Sequence, residues 1–262
     1  MKIAKILTKK EPEKNLLFAF KKRAGRSRNG RITVRHKGGG VKRMYRLIDF
    51  GQEKINLPAK VIAIEYDPNR TSYICLLQFE NGEKRYRICP HGINVGDTVI
   101  CSEKAEVKIG NRMKLKNIPV GTQIHDVEIE PGRGGRMVRS AGSACRIVAQ
   151  EGKYTHLLFP STEVKMVSGE CYATVGQVSF PEHKFIKVGK AGVSRRRGIR
   201  PTVRGTAMNP KDHPHGGGDG KTSIGLKYPK TPWGHIARGV KTRNKKKWTT
   251  KLILEHRKSK KK

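Results

Sequence analysis

The sequence predicts a mostly β protein, with two small barrels in the middle of the chain and an extended basic arm at each end. Short β-branched runs alternate with turn signals between about positions 60 and 178, while helix signals are few and short. Residues 1–46 carry 16 Lys and Arg against 2 Glu, and residues 187–262 carry 23 against 3 acidic residues. Residues 47–186 carry 18 against 16. Only this nearly neutral middle is expected to bury a core.

Four strand-like runs predict the first barrel. Asp67-Pro68-Asn69-Arg70 has the composition of a turn between the first two runs. Asn81-Gly82 is a strong hairpin signal between the second and third runs, and Val95-Gly96 precedes the fourth. Short strands separated in this way are typical of a small antiparallel barrel. The four runs are residues 60–66, 72–79, 84–89 and 97–101.

Five further runs predict a second barrel, which begins after Ile118-Pro119-Val120-Gly121. The first run alternates apolar and polar residues, as a half-buried strand does. A basic glycine-rich loop follows it at residues 132–142. Its three arginines and four glycines favour close binding of phosphate groups over a merely flexible surface loop. The five runs are residues 122–129, 145–150, 155–159, 163–167 and 172–178.

The total charge predicts a polyanionic partner. A net charge of +36 on 262 residues opposes a compact free monomer, and lysine and arginine release the condensed counterions of nucleic acid. We expect the two arms to become ordered only against that partner. A membrane surface is the alternative partner, but the sequence shows no basic amphipathic helix, no apolar run of membrane-spanning length and no secretory leader.

The five cysteines are predicted to be buried thiols in a reducing compartment. Their number is odd and they include no C-x-x-C pair, which argues against a disulfide framework or a zinc knuckle. Three of them lie in or beside apolar strand-like runs, where a free thiol behaves as a small apolar residue. The cysteines are Cys75, Cys89, Cys101, Cys145 and Cys171.

Residues 208–220 are the most informative stretch of the chain. Two prolines and four glycines exclude a regular helix or a central strand, so we expect a functional loop. Residues 215–222 superficially resemble a phosphate-binding loop, but His215 stands where that motif needs its first glycine and no hydrophobic strand precedes it. We therefore reject nucleotide hydrolysis. The glycines still let backbone N–H groups approach phosphates closely.

The two histidines of this loop support competing interpretations. His213, His215 and Asp219 could serve a metallo-hydrolase that acts on a phosphorylated substrate, which is the alternative function. A zinc site needs three or four ligands with further support, and no cysteine is near. The favoured interpretation is that both histidines hydrogen-bond or stack on RNA. Trp233 and Trp248 could each stack on a base or sugar, although Trp233 could equally anchor local packing.

Short blocks spread over nearly the whole chain resemble one known family. They are Gly30-Arg31-Ile32-Thr33, Arg35-His36, Gly38-Gly39-Gly40, Glu65-Tyr66-Asp67-Pro68-Asn69-Arg70, Gly82-Glu83-Lys84-Arg85-Tyr86, Asn117-Ile118-Pro119-Val120-Gly121, Arg139-Ser140-Ala141-Gly142, Gly189-Lys190-Ala191-Gly192, Arg200-Pro201-Thr202-Val203-Arg204-Gly205, residues 208–220 and Thr231-Pro232-Trp233-Gly234. In number and order these blocks resemble the ribosomal protein L2 family of the large subunit, in its bacterial type.

The resemblance implies an OB-like barrel followed by an SH3-like barrel, with primary binding to large-subunit ribosomal RNA. It implies RNA contacts by Arg70 and Arg139, and a C-terminal extension that runs toward the peptidyl-transferase region. The histidine matching His213 has been linked to peptidyl transfer in this family. We expect His213 to be the candidate residue near that region, with a structural role, and we expect no catalytic residue and no enzyme, because the reaction centre of ribosomes is RNA.

Four segments are expected. Residues 1–36 form a basic N-terminal extension and residues 37–112 an OB-like RNA-binding domain. Residues 113–188 form an SH3-like barrel domain, and residues 189–262 an extended basic arm that binds rRNA. The expected partners are large-subunit rRNA, neighbouring ribosomal proteins and the small subunit at a contact that supports subunit association, and we expect no membrane partner.

The predicted RNA-binding residues come from both arms, the barrel turns and the glycine-rich loops. We expect no metal site and no cofactor, with Mg²⁺ present only as a counterion of rRNA. The residues are Arg35, His36, Arg70, Arg85, Arg133, Arg136, Arg139, Lys190, Arg195, Arg196, Arg197, Arg200, Arg204, Asn209, His213, His215, Gly216, Gly217, Gly218, Trp233, Arg243 and Lys245.

Two departures from the family pattern predict an organellar member. The N-terminal region is shorter than in the usual bacterial form, and Gly220-Lys221-Thr222-Ser223 replaces an arginine-led sequence. The expected location is a ribosome of the mitochondrial matrix, with the plastid stroma and the bacterial cytoplasm as alternatives. A nonspecific DNA-packaging protein is a third function, but the regular strand pattern and the glycine loops favour a shaped RNA target.

Overall fold

A computed structural model describes residues 6–9, 11–51, 54–219, 221–244 and 246–257. The mostly β class is confirmed, with antiparallel sheets and one short α-helix in these residues. The strands are β1 (Leu17–Ala19), β2 (Met44–Arg46), β3 (Pro58–Glu65), β4 (Ile74–Phe79), β5 (Lys84–Ile88), β6 (Thr98–Ile100), β7 (Arg112–Lys114), β8 (Gln123–His125), β9 (Cys145–Glu151), β10 (Tyr154–Leu158), β11 (Val164–Ser168), β12 (Tyr172–Val175) and β13 (Ile253–Glu255). The helix is α1 (Ala191–Arg196), and 3₁₀ turns span Lys14–Leu16, Leu115–Asn117, Pro181–Phe185, Gly205–Ala207 and Trp248–Thr250.

The chain divides into two compact units. We call the first the sheet unit and the second the arm unit. The sheet unit consists of Met1–Phe20, Arg43–Lys187 and Trp248–Lys262, and the arm unit consists of Lys21–Lys42 and Val188–Lys247. The arm unit is therefore built from two segments that are about 145 residues apart in the sequence, Lys21–Lys42 and Val188–Lys247.

A four-stranded sheet of order β5-β4-β3-β6 occupies the range of the first predicted barrel. Its strand β4 is apolar at almost every position because both faces are covered. Cys75 and Leu77 pack into one core cluster, whereas Ile74 and Leu76 pack into another. The predicted hairpin at Asn81-Gly82 is confirmed, since Gly82 has φ +79° and joins β4 to β5.

A seven-stranded sheet of order β13-β11-β10-β9-β8-β12-β7 contains the second set of predicted strands. The predicted strand at residues 122–129 was too long: β8 ends at His125 because Asp126 has φ +48° and turns the chain. Strands β1, β2, β7 and β13 were not predicted. Each has only three residues, too few for alternation to be recognised.

All five cysteines are free and buried, as predicted. Burial raises the pKa of Cys145 and of Cys171 to about 12, so both stay protonated thiols near neutral pH. Among the described residues, no helix has the length and apolar character needed to cross a membrane.

The arm unit is held together mainly by backbone contacts. Residues of the glycine-rich N-terminal segment pair with the end of α1: the Gly38 N–H donates to the Gly198 carbonyl at 2.8 Å, and the Val41 N–H donates to the Arg196 carbonyl at 2.9 Å. A Cβ atom at Gly40 would lie 2.6 Å from the Arg196 carbonyl oxygen, so this approach requires glycine. Among the described residues of this unit, His213 alone is buried.

Candidate nucleic-acid interface

Two arginines that are far apart in sequence lie over the same aromatic ring of the sheet unit. The Arg139 guanidinium carbon lies 4.4 Å from the centroid of the Phe50 ring, and that of Arg70 lies 5.8 Å from it. Arg70 also lies 5.9 Å from the Tyr45 ring. Cation–π contacts of this kind orient a guanidinium without neutralising its charge. We call Phe50, Arg70 and Arg139 the Phe50 platform.

A tight turn positions Arg70. Asp67 is fully buried, and its carboxylate accepts hydrogen bonds from the Asn69 N–H at 2.8 Å and from Arg70 Nε at 2.5 Å. The turn is joined to β2, because Asn69 Nδ2 donates to the Met44 carbonyl at 2.8 Å. The Arg70 side chain is only 16% exposed. Arg70 is therefore held at both its Nε atom and its planar face.

The carboxylate of Glu128 anchors the glycine-rich loop that contains Arg139. This carboxylate is fully buried and accepts hydrogen bonds from the Gly134 N–H at 2.8 Å and from the Tyr172 N–H at 2.9 Å. The Gly135 N–H donates to the Phe50 carbonyl at 2.8 Å. The Ala141 N–H donates to Thr71 Oγ1 at 3.1 Å, beside Arg70. The loop is thus anchored, and it is joined to the turn of Arg70.

A buried ion pair supports the platform from inside. Arg112 is 2% exposed, and its Nη1 lies 2.8 Å from the Asp126 carbonyl oxygen and 3.1 Å from Asp126 Oδ2. Arg112 Nη2 also reaches the Phe50 carbonyl at 3.5 Å. Burial raises the pKa of Asp126, while the guanidinium of Arg112 acts in the opposite direction. The Phe50 backbone therefore rests on charged groups that are inaccessible to solvent.

The other predicted arginines of the sheet unit differ in their surroundings. Arg133 and Arg136 are exposed on the loop, and Arg133 is paired with Glu130 at 2.7 Å. Arg85 lies in β5 and is paired with Glu83 at 2.7 Å. The charge of Arg85 is thus partly compensated within the protein. The Phe50 platform brings Arg70 and Arg139 together, but it includes none of these three arginines.

Most of the predicted residues in the arm unit are exposed. Arg35 lies 5.1 Å over the ring of Trp233, which is 69% exposed at the tip of a turn. His36 adopts φ +61°, and its carbonyl accepts the Arg200 N–H at 3.0 Å. Lys245 lies outside the described residues. The exposed residues of the prediction in this unit are Arg35, His36, Lys190, Arg195, Arg196, Arg197, Arg200, Arg204, Asn209, Gly217, Gly218, Trp233 and Arg243.

His213 lies inside its loop. It is 6% exposed, and a Cβ atom at Gly205 would lie 2.5 Å from its ring, so this glycine leaves the space that the ring needs. The His213 N–H donates to the Asn209 carbonyl at 3.2 Å, and the Gly216 N–H donates to the His213 carbonyl at 2.8 Å. The ring of His215 lies 4.7 Å away, centroid to centroid. We call residues 205–217 together with Lys230 the His213 loop.

Backbone donors fix the protonation of both imidazoles. His213 Nδ1 accepts the His215 N–H at 3.0 Å, and His215 Nε2 accepts the Lys230 N–H at 2.8 Å. A backbone N–H can only donate, so each of these nitrogens must present a lone pair. Both rings are therefore neutral while the loop is intact. Desolvation, together with His213 and Lys230, lowers the pKa of His215.

This arrangement gives no support to the metallo-hydrolase alternative. The lone pair that a metal ion or a proton would need is already used by a backbone N–H in both histidines. Nor does any group of three His, Cys, Asp or Glu residues in the described chain have the spacing to hold a metal ion. The His213 loop thus has the chemistry of a structural element.

Sequence reasoning did not identify four residues on which these sites depend. Phe50 is a single aromatic residue with no surrounding pattern, and Asp126 and Glu128 lie within the predicted strand 122–129, both beyond the end of β8. Gly205 stands three residues before the loop that was singled out. Among these four residues, only Asp126 and Glu128 gave a sequence signal. Two carboxylates in a run that is expected to be half-buried need hydrogen-bond donors.

Two family models match the chain, one over its N-terminal part and one over its C-terminal part. A model described as the RNA-binding N-terminal domain of ribosomal proteins L2 matches residues 13–101. A model described as the C-terminal domain of ribosomal proteins L2 matches residues 108–234. Together they cover the four-stranded sheet, the Phe50 platform and the His213 loop. The chain therefore belongs to the ribosomal protein L2 family.

Proposed function

We propose that this chain binds large-subunit rRNA through the Phe50 platform and through the exposed basic residues of the arm unit, and that it has no enzymatic activity of its own. Membership of the L2 family supports a structural, rRNA-binding role in the large ribosomal subunit. The net charge of +36 supports a polyanionic partner. Mg²⁺ enters only as a counterion of the RNA.

The observation that carries this proposal is the meeting of Arg70 and Arg139 on Phe50. Arg70 uses Nε for Asp67, and Arg139 uses Nη1 for the Gly135 carbonyl at 3.2 Å. The other guanidinium N–H groups are the type of donor that binds phosphate oxygens in pairs. Because the platform is built by the protein itself, RNA binding does not have to order these side chains.

The His213 loop has a different role in this proposal. With both imidazoles committed to backbone N–H groups, His213 fixes the path of the loop and presents Asn209, Gly217 and Gly218 to RNA. Glycines allow backbone N–H groups to approach phosphates without interference from Cβ atoms. His213 thus organises RNA contacts near the peptidyl-transferase region and does not take part in proton transfer.

Filter binding of the full chain to transcribed large-subunit rRNA tests the platform. The double variant Arg70→Gln and Arg139→Gln should bind at least tenfold more weakly, since hydrogen bonds to charged groups contribute about 1.5–3 kcal/mol each. The dependence of log affinity on log salt should fall by about two. Lys153→Gln makes the same kind of charge change at an exposed position in the turn between β9 and β10, and should change neither quantity.

Two outcomes would overturn the proposal. One is a double variant that binds rRNA as tightly as the Lys153→Gln variant. The other is a wild-type chain whose rRNA binding is fully competed by duplex DNA at equal phosphate concentration. That second result would support the DNA-packaging function instead.

The finer assignments extend this proposal. We propose residues 37–112 and 113–188 as OB-like and SH3-like domains between basic segments at residues 1–36 and 189–262. The proposed location is an organellar ribosome, mitochondrial before plastid, with neighbouring ribosomal proteins and the small subunit as further contacts. Sucrose-gradient sedimentation of fractionated organelles should place the chain in the large-subunit peak, and sedimentation at the top of the gradient would contradict this.

A further inference from the structure

A cavity of about 20 Å³ lies where the two sheets of the sheet unit meet. Cys75, Leu77 and Val99 line it from the four-stranded sheet, and Arg112, His125 and Thr174 line it from the seven-stranded sheet. Asp126, which follows β8, adds a carboxyl group to the polar side, which also includes Asp49 and Arg87. A cavity of this size has room for a water molecule, provided that polar partners are present.

The cavity has polar atoms that could bind a water molecule, and these atoms make no hydrogen bond to the described protein atoms. Arg112 Nε, His125 Nε2 and Asp126 Oδ1 are buried side-chain atoms with no hydrogen-bond partner among the described protein atoms. The described residues contain six buried side-chain atoms without a hydrogen-bond partner, and these three are half of them. All three residues line this one cavity. Buried polar groups in native proteins are nearly always hydrogen-bonded, so their clustering needs a physical explanation.

The hydrogen-bonding character of the three atoms can be derived. His125 Nδ1 lies 2.9 Å from the Gly176 carbonyl oxygen, which can only accept, so Nδ1 carries the proton. His125 Nε2 of the neutral ring therefore presents a lone pair. Burial of this residue lowers its pKa to about 4, which keeps the ring neutral. Asp126 Oδ1 is a second acceptor, and the Nε–H of Arg112 is a donor.

We propose that this cavity is a binding site for one ordered water molecule shared by Arg112, His125 and Asp126. The water donates one O–H to His125 Nε2 and the other to Asp126 Oδ1, and it accepts the Nε–H of Arg112. Two acceptors and one donor match the two hydrogens and a lone pair of water. Three partners are also the usual number for a buried water.

Other occupants fit these partners less well. A metal cation would meet the Nε–H of Arg112, which cannot coordinate it. An anion would meet the lone pair of His125 and the carboxylate of Asp126. A dry cavity would leave all three groups unpaired in an environment where pairing is the rule. Water alone can donate and accept as these residues require.

The proposed water belongs to the network beneath the Phe50 platform. Arg112 contacts the Phe50 carbonyl through Nη2, while Asp126 packs against Gly135, where a Cβ atom would lie 2.1 Å from Asp126 Oδ1. The water thus joins the two sheets to the loop that carries Arg139. This inference does not depend on RNA binding and can be tested on the free protein.

The test is a crystal structure of the full chain at a resolution that shows ordered waters, with matched variants. The wild-type chain should show one peak within about 2.7–3.2 Å of both His125 Nε2 and Arg112 Nε. His125→Phe should lose this peak. His156→Phe should retain it, since His156 lies in β10 and does not line the cavity.

A solution measurement covers the case in which His125→Phe does not fold. In wild-type protein, the ring hydrogen of His125 on Cε1 should show a cross-peak to a long-lived bound water in water-selective NMR. An empty cavity, a metal ion at the peak, or direct protein partners for His125 Nε2 and Arg112 Nε would each overturn the proposal, as would the absence of the cross-peak.

Discussion

The Phe50 platform and the His213 loop, which we propose as RNA-binding elements, are held in place by different means. The platform rests on a closed core: buried carboxylates of Asp67, Asp126 and Glu128 hold backbone N–H groups and guanidiniums beneath it. The arm unit offers no buried apolar side chain among its described residues, and the ring of His213 takes the place of a core.

This difference shows how a segment too basic to form a core can still have a defined loop. An imidazole is compact and has both a donor and an acceptor, so one ring can fill space and fix a backbone N–H. Buried carboxylates bind backbone N–H groups in the same way in the sheet unit, where burial is deeper. The platform should therefore be robust, and the loop should be sensitive to local changes.

The largest difference should appear when the same methyl group is added to each region. At Gly135 a Cβ atom would lie 2.1 Å from Asp126 Oδ1 and 2.6 Å from its carbonyl oxygen, both held in the core. At Gly216 it would lie 2.3 Å from the Asn209 carbonyl oxygen. Gly135→Ala should lower the free energy of unfolding of the sheet unit by roughly 3 kcal/mol or more, whereas Gly216→Ala should disrupt only the loop.

Chemical denaturation followed by near-UV signals measures the first effect, and the NMR shifts of the His213 and His215 nitrogens measure the second. Gly189→Ala is the matched control, because a Cβ atom there meets nothing within 4 Å. Equal loss of global stability in the Gly135 and Gly216 variants would remove the distinction between the two regions.

Acid should weaken the sheet unit through His125. Burial lowers the pKa of His125 from 6.5 to about 4, so the unfolded chain takes up a proton at a pH where the folded chain does not. The contribution of neutral His125 to the free energy of unfolding is fully present above about pH 6.5. It is lost as the pH falls toward 4, by roughly 3 kcal/mol in total. The difference in unfolding free energy between wild type and His125→Phe should shrink over this range. A difference independent of pH would contradict the assignment.

Loss of the Phe50 ring should weaken rRNA binding more than it weakens the fold. Phe50→Leu removes the face on which Arg70 and Arg139 lie and should reduce affinity by about five- to tenfold, corresponding to roughly 1 kcal/mol from two cation–π contacts. Phe159→Leu is the control, since it removes a similar contact with Lys165 at 4.9 Å elsewhere in the sheet unit. Equal affinities of the two variants would show that Phe50 does not position the arginines.

The smallest expected effect is the pH response of the His213 loop. The pKa of His215 is lowered by desolvation and by nearby His213 and Lys230, and its protonation breaks the bond to the Lys230 N–H. Loop order is therefore complete above the ordinary pKa of histidine and is lost as the pH falls through the lowered value. Amide exchange at Lys230 should accelerate on acidification relative to Lys153. Unchanged relative exchange would contradict the proposed bond.

Local signals in the sequence predicted a good part of this fold. Asn81-Gly82 marked a hairpin, the run 72–79 marked the strand found at Ile74–Phe79, and the glycine-rich stretches at 132–142 and 208–220 marked loops with tight backbone approaches. These signals succeed because each depends on residues close together in sequence.

The rest depended on contacts between distant residues. Nothing near Phe50 indicates that residues 70 and 139 will lie over its ring. The turn at Asp126, directly after β8, is held by Arg112, which donates to both the carbonyl and the carboxylate of Asp126. The burial of His213 in a unit without an apolar core runs against the usual link between hydrophobicity and burial, so composition gave no sign of it.

A map of the large ribosomal subunit that contains this chain would show whether rRNA meets the Phe50 platform. We expect Arg70 and Arg139 to contact rRNA phosphates while still lying over Phe50, and His213 Nδ1 still to accept the His215 N–H. The proposal is contradicted if these arginines lie away from RNA, or if His213 Nδ1 contacts RNA or a metal ion in place of the backbone.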